Sequence, residues 1–107
     1  MNPRPGEVWL ADLGFAAKSR PVIIVSRFDS DPPRALALYV PITTQYRNSL
    51  YEVELPEELS FLHQKSFANV QGLGSLPYVR FERMIGHLPE GVVNLVKRAL
   101  AFALDLS

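Results

Sequence analysis

The residues best suited to chemistry in this sequence are Arg20, which precedes the run PVIIV, and Thr43 and Thr44, which end the stretch ALALYVPITT. Arginine presents a planar, charged fork of N–H donors that fits a phosphate or a carboxylate. A hydroxyl adds one more donor beside it. Since the ends of two neighbouring antiparallel strands lie close together, a guanidinium and a hydroxyl placed there can contact one phosphate. This pattern indicates an anion site.

The same residues also have an ordinary structural interpretation. Arg20 at the mouth of a strand can form an ion pair with a carboxylate, and Thr43 can stabilise a turn through its hydroxyl. Pro21 has no N–H to give to a sheet, so Arg20 should lie where the strand enters the core. The spacing by itself leaves both interpretations open.

Two histidines are the remaining candidates, because a pair of imidazoles can act as acid and base on RNA. His63 lies in the loop-like segment 56–64, and His87 lies in IGHLPE, where the last predicted strand meets a helix. Neither has a neighbouring partner in the sequence. This favours a surface histidine at position 63 and a packed strand-end histidine at position 87.

Known catalytic and cofactor motifs are missing from the sequence. It contains no glycine-rich phosphate loop, HExxH, EF-hand loop or GxSxG, so neither a cofactor nor a metal ion is expected. With no cysteine, thiolate zinc sites and cysteine nucleophiles are excluded. The 11 basic residues balance 11 acidic ones, which does not indicate a non-specific nucleic-acid binder. Any anion site must therefore be local.

The length of 107 residues, with 48% hydrophobic residues, predicts one domain with an ordinary globular core. The longest apolar stretch lies near the C-terminus and is interrupted by Lys97 and Arg98, so no membrane span is expected. The N-terminal residues MNPRPGE do not resemble a signal peptide. We therefore expect a cytoplasmic protein.

Hydrophobic periodicity predicts several short strands followed by one helix. The strands are expected at 6–13, 20–26, 35–43, 51–55, 65–73 and 81–88. Segment 56–64 is expected to hold one helical turn, and the Gly/Pro-bearing segment 74–80 separates the last two strands. This order indicates a mainly β protein, a small, strongly bent antiparallel barrel with a helix packed on it.

The helix is expected over 89–106, with Pro89 at its start and Glu90 at its positive end. Its apolar residues recur at spacings of three and four and form the core-facing stripe. Leu95, Phe102 and Leu106 form a second apolar stripe. This second stripe leaves room for a homodimer contact.

Five stretches of the chain, taken in order, resemble the MazF/PemK family of toxins from toxin–antitoxin modules. They are RPGEVWLADLG, RPVIIVS, VPITTQ, SFANVQGL and IGHLPEGVVNLVKRALAFALDL. Single pieces such as GEVW are weakly specific, whereas the ordered set covers most of the chain. The resemblance implies one toxin domain over residues 1–107, with a homodimeric SH3-like barrel fold of the MazF/PemK/CcdB type.

The resemblance also implies a function. Such toxins cut single-stranded RNA, including mRNA, at specific sequences without a metal ion, and a cognate antitoxin inhibits them. The arginine of the RPV strand and the threonine at the PIT strand end are their catalytic pair, here Arg20 and Thr43. The expected products carry 2′,3′-cyclic phosphate and 5′-hydroxyl ends. Polar residues on the same segments are candidate RNA contacts: Lys18, Ser19, Gln45, Arg47, Asn69 and Gln71.

The chain departs from the family pattern at three places. The loop at 13–19 is shorter than usual, GSLP replaces the common RTID-like stretch, and Asn69 and Gln71 stand where some members have an Arg-x-Asp pair. An alternative is therefore a barrel that binds RNA or an antitoxin-like peptide without cutting. A gyrase inhibitor like the CcdB toxins is less well supported, because those depend on a tryptophan near the helix C-terminus and Trp9 lies in the first strand.

Overall fold

The computed structural model describes residues 2–14 and 18–106. One antiparallel sheet contains all seven strands, in the order β4-β5-β3-β2-β1-β7 with β6 also paired to β3. Among these residues, one α-helix follows the last strand. These elements confirm the predicted class, a mostly antiparallel β protein with a C-terminal helix. Their bounds are β1 (Glu7–Ala11), β2 (Arg20–Ile24), β3 (Leu36–Thr43), β4 (Glu52–Glu54), β5 (Phe67–Asn69), β6 (Gly74–Pro77), β7 (Phe81–His87) and α1 (Glu90–Ala103).

Strand β3 is the longest strand and organises the sheet. One of its edges pairs with β2 from Tyr39 to Pro41. The other edge pairs first with β6, from Leu36 to Tyr39, and then with β5 at Ile42 and Thr43. The change of partner falls at Pro41, which has no N–H to donate to a ladder. Strand β3 thus ends at Thr43, between the ends of β2 and β5.

Alternate residues of the central strands belong to two hydrophobic clusters on opposite faces of the sheet. Val8, Ile23 and Val40 belong to the helix-side cluster, which α1 covers with Val96 and Ala99. Trp9 and Val22 belong to the opposite cluster, together with Ala11, Ile24, Ala37 and Phe81. Because β1 and β2 are buried on both faces, they hold the end of the sheet near Arg20 rigidly.

The structure differs from the prediction at two places within residues 65–80. Residues 74–80 were expected to be a separator, but Gly74–Pro77 form β6, and Pro77 is tolerated because β6 pairs only with β3 and so has one open edge. The predicted fifth strand, 65–73, is wrong beyond Asn69. There the Asn69 side chain accepts a hydrogen bond from the N–H of Gln71 and caps a 3-10 turn over Val70–Gly72.

The segment between β4 and β5 contains two consecutive turns in place of the one helical turn that was expected. The N–H of Leu59 donates to the carbonyl of Pro56, and the N–H of Leu62 donates to the carbonyl of Leu59. Leu59, Phe61 and Leu62 pack against the helix-side cluster. The segment is therefore irregular in its backbone but anchored by its apolar side chains.

Helix α1 begins after Pro89, whose carbonyl accepts hydrogen bonds from the N–H groups of Val92 and Val93. It ends before Asp105, which has a positive φ of 58°. The residues of the second apolar stripe, Leu95, Phe102 and Leu106, are exposed. In the described part of the chain, no helix has the length and apolar character needed to cross a membrane.

Candidate functional site

Arg20 and Thr43 lie opposite each other at one end of the sheet. Strand β2 begins at Arg20 and β3 ends at Thr43. Val22 pairs with Pro41, and continuing that antiparallel register by two residues sets Arg20 against Thr43. Opposed residues of neighbouring strands point to the same face. The sheet therefore brings these two side chains together, as the sequence predicted.

Both residues line one cavity of about 440 Å³, which we call the central pocket. Its walls come from the ends of β2 and β3 and from the segment that leads into β5. The lining residues are Arg20, Pro21, Ile42, Thr43, Thr44, Gln45, Phe61, Leu62, His63, Gln64 and Ser66. The charged and polar groups among them are donors or neutral, and no carboxylate is present. Such a lining suits an anion.

The guanidinium of Arg20 is available to a ligand. Arg20 is exposed, and the two ion pairs between described residues, Lys65–Glu54 and Arg80–Asp12, do not involve it. The ion-pair interpretation of Arg20 is therefore not supported in the described part of the chain. An arginine held at a strand end without a carboxylate partner can direct its N–H groups to a phosphate.

Thr43 combines a turn role with a free donor. Its hydroxyl oxygen accepts a hydrogen bond of 3.1 Å from the N–H of Gln45, so the turn interpretation is confirmed. Because that bond uses only an oxygen lone pair, the hydroxyl proton remains able to donate. The turn thus orients the Thr43 hydroxyl in the pocket that Arg20 lines.

A second cavity of about 230 Å³, the side pocket, adjoins the central pocket and shares Thr43 and Gln45 with it. It brings together four of the six candidate RNA contacts, Gln45, Arg47, Asn69 and Gln71. The guanidinium of Arg47 donates a 3.2 Å hydrogen bond to the side-chain oxygen of Gln45. The carboxylate of Glu52 and the hydroxyl-bearing Ser49 complete the lining.

Glu52 organises the loop that carries Gln45 and Arg47. Its carboxylate accepts hydrogen bonds from the N–H of Arg47 at 3.0 Å, from the N–H of Ser49 at 3.1 Å and from the Ser49 hydroxyl at 2.9 Å. Partial burial raises the pKa of Glu52, but these hydrogen bonds and the charge of Arg47 outweigh it, and the net pKa is lowered. The ionised carboxylate therefore fixes this loop.

The ring of Tyr46 reinforces the same loop. It stacks on the buried ring of Phe67 with a centroid separation of 4.4 Å and an interplanar angle of 11°. Phe67 in turn pairs with Thr43 across β5 and β3. The loop after Thr43 is thus held by an aromatic contact as well as by Glu52.

Lys18 and Ser19, the other two candidate RNA contacts, line neither pocket. The hydroxyl of Ser19 donates to the carboxylate of Glu82 on β7, and a carboxylate there opposes a phosphate. The adjoining residues 15–17 of the short 13–19 loop lie outside the described residues. The structure therefore does not bring Lys18 and Ser19 together with Arg20 and Thr43.

His63 was not among the predicted site residues, but it lines the central pocket. It also lines a third cavity of about 560 Å³, the far pocket, which shares Pro21 and Phe61 with the central pocket and includes Arg83. Its residue type made His63 a candidate acid or base, but its place in the pocket depends on how segment 56–64 packs and could not be predicted from the sequence. Among the described residues, no group of three or more His, Asp or Glu side chains could hold a metal ion.

The chain is similar to known proteins along nearly its whole length. Residues 4–104 match the model of a family described as PemK-like, MazF-like toxins of type II toxin–antitoxin systems. The probable endoribonuclease MazF5 of Mycobacterium tuberculosis is 29% identical over 105 residues, covering 98% of this chain and 95% of that protein.

Two solved structures support the match. A mycobacterial endoribonuclease in complex with its cognate antitoxin superposes with a TM-score of 0.83 at 25% identity, covering 98% of this chain and 97% of that chain. Mycobacterium tuberculosis toxin MazF-mt6 superposes with a TM-score of 0.81 at 28% identity, covering 94% of this chain and 98% of that chain. The family match extends over nearly the whole chain, and the chain therefore belongs to the PemK-like, MazF-like toxins of type II toxin–antitoxin systems.

Proposed function

We propose that this chain is the toxin of a type II toxin–antitoxin module, an endoribonuclease that cleaves single-stranded RNA at specific sequences without a metal ion. The observation that carries the proposal is the placement of Arg20 and Thr43 in one pocket without a carboxylate. Two mycobacterial relatives support it, one named a probable endoribonuclease and the other an endoribonuclease. The catalytic pair is Arg20 and Thr43.

The chemistry follows from the charge that develops on the phosphate. Attack of a ribose 2′-hydroxyl on the adjacent phosphorus builds negative charge on the non-bridging oxygens. Arg20 neutralises that charge, and the Thr43 hydroxyl, oriented by the N–H of Gln45, donates to it. The products are a 2′,3′-cyclic phosphate and a 5′-hydroxyl end. Removing one such donor typically lowers the rate by about 10²–10³-fold.

The three adjoining pockets offer a path for the RNA on both sides of the scissile phosphate. Each contains one arginine: Arg47 in the side pocket, Arg20 in the central pocket and Arg83 in the far pocket. Arginines spaced along a groove can bind successive phosphates of a single strand. The side pocket also presents amides from Gln45, Asn69 and Gln71, which suit hydrogen bonds to base edges.

The test is incubation of the purified protein with a long single-stranded RNA in EDTA, followed by mapping of the new ends. The wild type should give discrete cuts with 5′-hydroxyl ends, and Arg20→Ala should give none. Arg34→Ala is the matched control, because Arg34 is exposed and lines none of these pockets. Tight RNA binding without products from the wild type would overturn the proposal in favour of a binding-only barrel.

The proposal extends to the oligomeric state, the cellular compartment and the antitoxin partner. The chain is one toxin domain that acts in the cytoplasm as a homodimer and is inhibited by a cognate antitoxin. A cavity of about 520 Å³ between β4 and α1 supports the dimer, because it is lined by the exposed side chains of Leu50, Leu95 and Phe102. Cognate antitoxin added in increasing amounts should abolish cleavage at a stoichiometric ratio.

A further inference from the structure

RNA cleavage by the 2′-hydroxyl requires a group that accepts the hydroxyl proton, and we propose that His63 is this general base. The inference rests on the proposed function. The polar groups that line the central pocket are one guanidinium, several hydroxyls, two amides and one imidazole. The guanidinium stays protonated, and hydroxyls and amides do not accept protons near neutral pH. Within the pocket lining, the imidazole of His63 is the group that can accept the proton of the 2′-hydroxyl.

His63 lies where RNA passing Arg20 would come within its reach. It lines the central pocket together with Arg20 and Thr43, and it lines the far pocket together with Arg83. It also borders a smaller cavity of about 290 Å³ with Glu57 and Lys65. His63 thus lines three cavities, one of which also contains Arg20, so a ribose beside a phosphate bound by Arg20 would lie in a pocket that His63 lines.

The backbone around His63 is fixed although its side chain is exposed. Two residues before it, the ring of Phe61 packs against the backbone of Gly86, at the position a Cβ would take. Leu62 packs against the helix-side cluster. After His63, the hydroxyl of buried Ser66 donates a 2.8 Å hydrogen bond to the carbonyl of Gln64. Anchors on both sides hold the backbone of His63 beside the pocket.

The step balances without any further reagent except water. The neutral imidazole takes the proton of the 2′-hydroxyl as the bond from O2′ to phosphorus forms. The bond from phosphorus to O5′ breaks, and the leaving oxygen receives a proton from water. The imidazolium then returns its proton to solvent. Arg20 stabilises the phosphate charge throughout and needs no change of protonation.

The pH dependence of cleavage is the property that a structural role would not produce. The charged groups that face His63 are Arg20 from β2, Arg83 from β7, and Glu57 and Lys65 from its own segment. Of these four residues, Glu57 is the one that carries a carboxylate. Because a general base accepts a proton only in its unprotonated form, cleavage by the wild type should fall on acidification. Replacing His63 should remove this fall.

The experiment compares His63→Gln with His87→Gln, which changes the other histidine of the chain. His87 lies at the end of β7 and lines none of the three pockets. We expect His63→Gln to lower kcat by about 10²–10⁴-fold with unchanged RNA affinity and with no acid decline. His87→Gln should keep the rate and the decline. In His63→Gly, added imidazole should restore part of the rate.

Two results would overturn the inference. One is a His63→Gln protein that cleaves at the wild-type rate with the wild-type pH profile. The other is a slow variant that keeps the acid decline and does not respond to imidazole in the His63→Gly form. Either result leaves the proposed function intact, because the wild type still cuts. Failure of the wild type to cut would instead overturn the proposed function.

Discussion

The ring of Phe61 lies directly against Gly86, in the space that any larger residue at position 86 would need for its first side-chain atom. This contact joins the irregular segment between β4 and β5 to strand β7. It also sets the position of the residues that follow Phe61 along the central pocket. The glycine is required here by close packing, since its φ is not in the left-handed region.

Gly86→Ala should therefore displace Phe61 and with it the wall of the central pocket. We expect a loss of about 1–3 kcal/mol in the free energy of unfolding, as for other overpacked positions. RNA cleavage should fall together with it, because the pocket loses its shape. Chemical denaturation and a cleavage assay at a temperature where the variant is folded measure the two effects separately.

Gly91→Ala is the matched control for that substitution. Gly91 lies in the first turn of α1, and a Cβ there meets nothing within 4 Å. Alanine is the better helix former, so stability should rise by about 0.5–1 kcal/mol while cleavage stays unchanged. A loss of cleavage in Gly91→Ala would contradict the assignment of the site to pockets that no residue of α1 lines.

Thr43→Val and Thr43→Ser separate the hydroxyl from the shape of the side chain. Valine removes the acceptor for the N–H of Gln45 and the proposed donor to the phosphate. It should reduce cleavage by about 10²-fold and cost about 1 kcal/mol of stability. Serine retains the hydroxyl and should retain most of the activity. Equal activity of the two variants would remove Thr43 from the catalytic pair.

The carboxylate of Glu52 makes the stability of the loop that lines the side pocket depend on pH. Its folded-state pKa lies below its ordinary value of 4.5, so its contribution to stability is present above about that pH and is lost as pH falls through the folded-state pKa. Glu52→Gln should therefore be less stable than the wild type at neutral pH and should lose less stability on acidification. Thermal melts between neutral pH and pH 3 measure this.

Glu58→Gln is the control for the pH experiment. Glu58 is exposed and accepts no side-chain hydrogen bond from the described residues. Its replacement should leave the acid part of the stability curve close to that of the wild type. If Glu52→Gln and Glu58→Gln behaved alike, the carboxylate of Glu52 would not be what holds the loop that carries Arg47.

Leu95→Glu tests the proposed dimer. The Leu95 side chain is 46% exposed on α1 and lines the apolar cavity beside β4. A charge placed in an apolar interface opposes association, so the variant should sediment as a monomer at concentrations where the wild type is a dimer. Asn94→Glu adds the same charge on the neighbouring exposed position and should remain dimeric. A monomeric wild type would contradict the proposal.

Much of the fold could be predicted because its central strands carry their own signal. The β-branched run of β2 and the three- and four-residue spacing in α1 each indicate one kind of element. Strand β6 could not be predicted, since Gly74, Ser75 and Pro77 are typical of turns and become a strand only through pairing with β3. The early end of β5 reflects the capping hydrogen bond of Asn69, a local contact that competes with the sheet.

The candidate site also contains residues whose positions could be predicted and residues whose positions could not. The positions of Arg20 and Thr43 could be predicted, because Arg20 begins β2, Thr43 ends β3 and these two strands follow each other in the chain. The place of His63 could not be predicted, since it depends on contacts of its neighbours with residues far along the chain, such as Gly86. Ser19 was expected at the site, but its hydrogen bond to Glu82 joins it to β7.

The position of β1 between β2 and β7 has a consequence for when this protein completes its fold during synthesis. Val8 pairs with Ile23 on one side and with Gly86 on the other. Chains are synthesised from the N-terminus, and a pairing between residues as distant in the sequence as Val8 and Gly86 forms late. Arg20 and Thr43 therefore leave the ribosome well before the strand that completes their sheet. The sheet that supports Arg20 and Thr43 can therefore be completed only when translation is nearly finished.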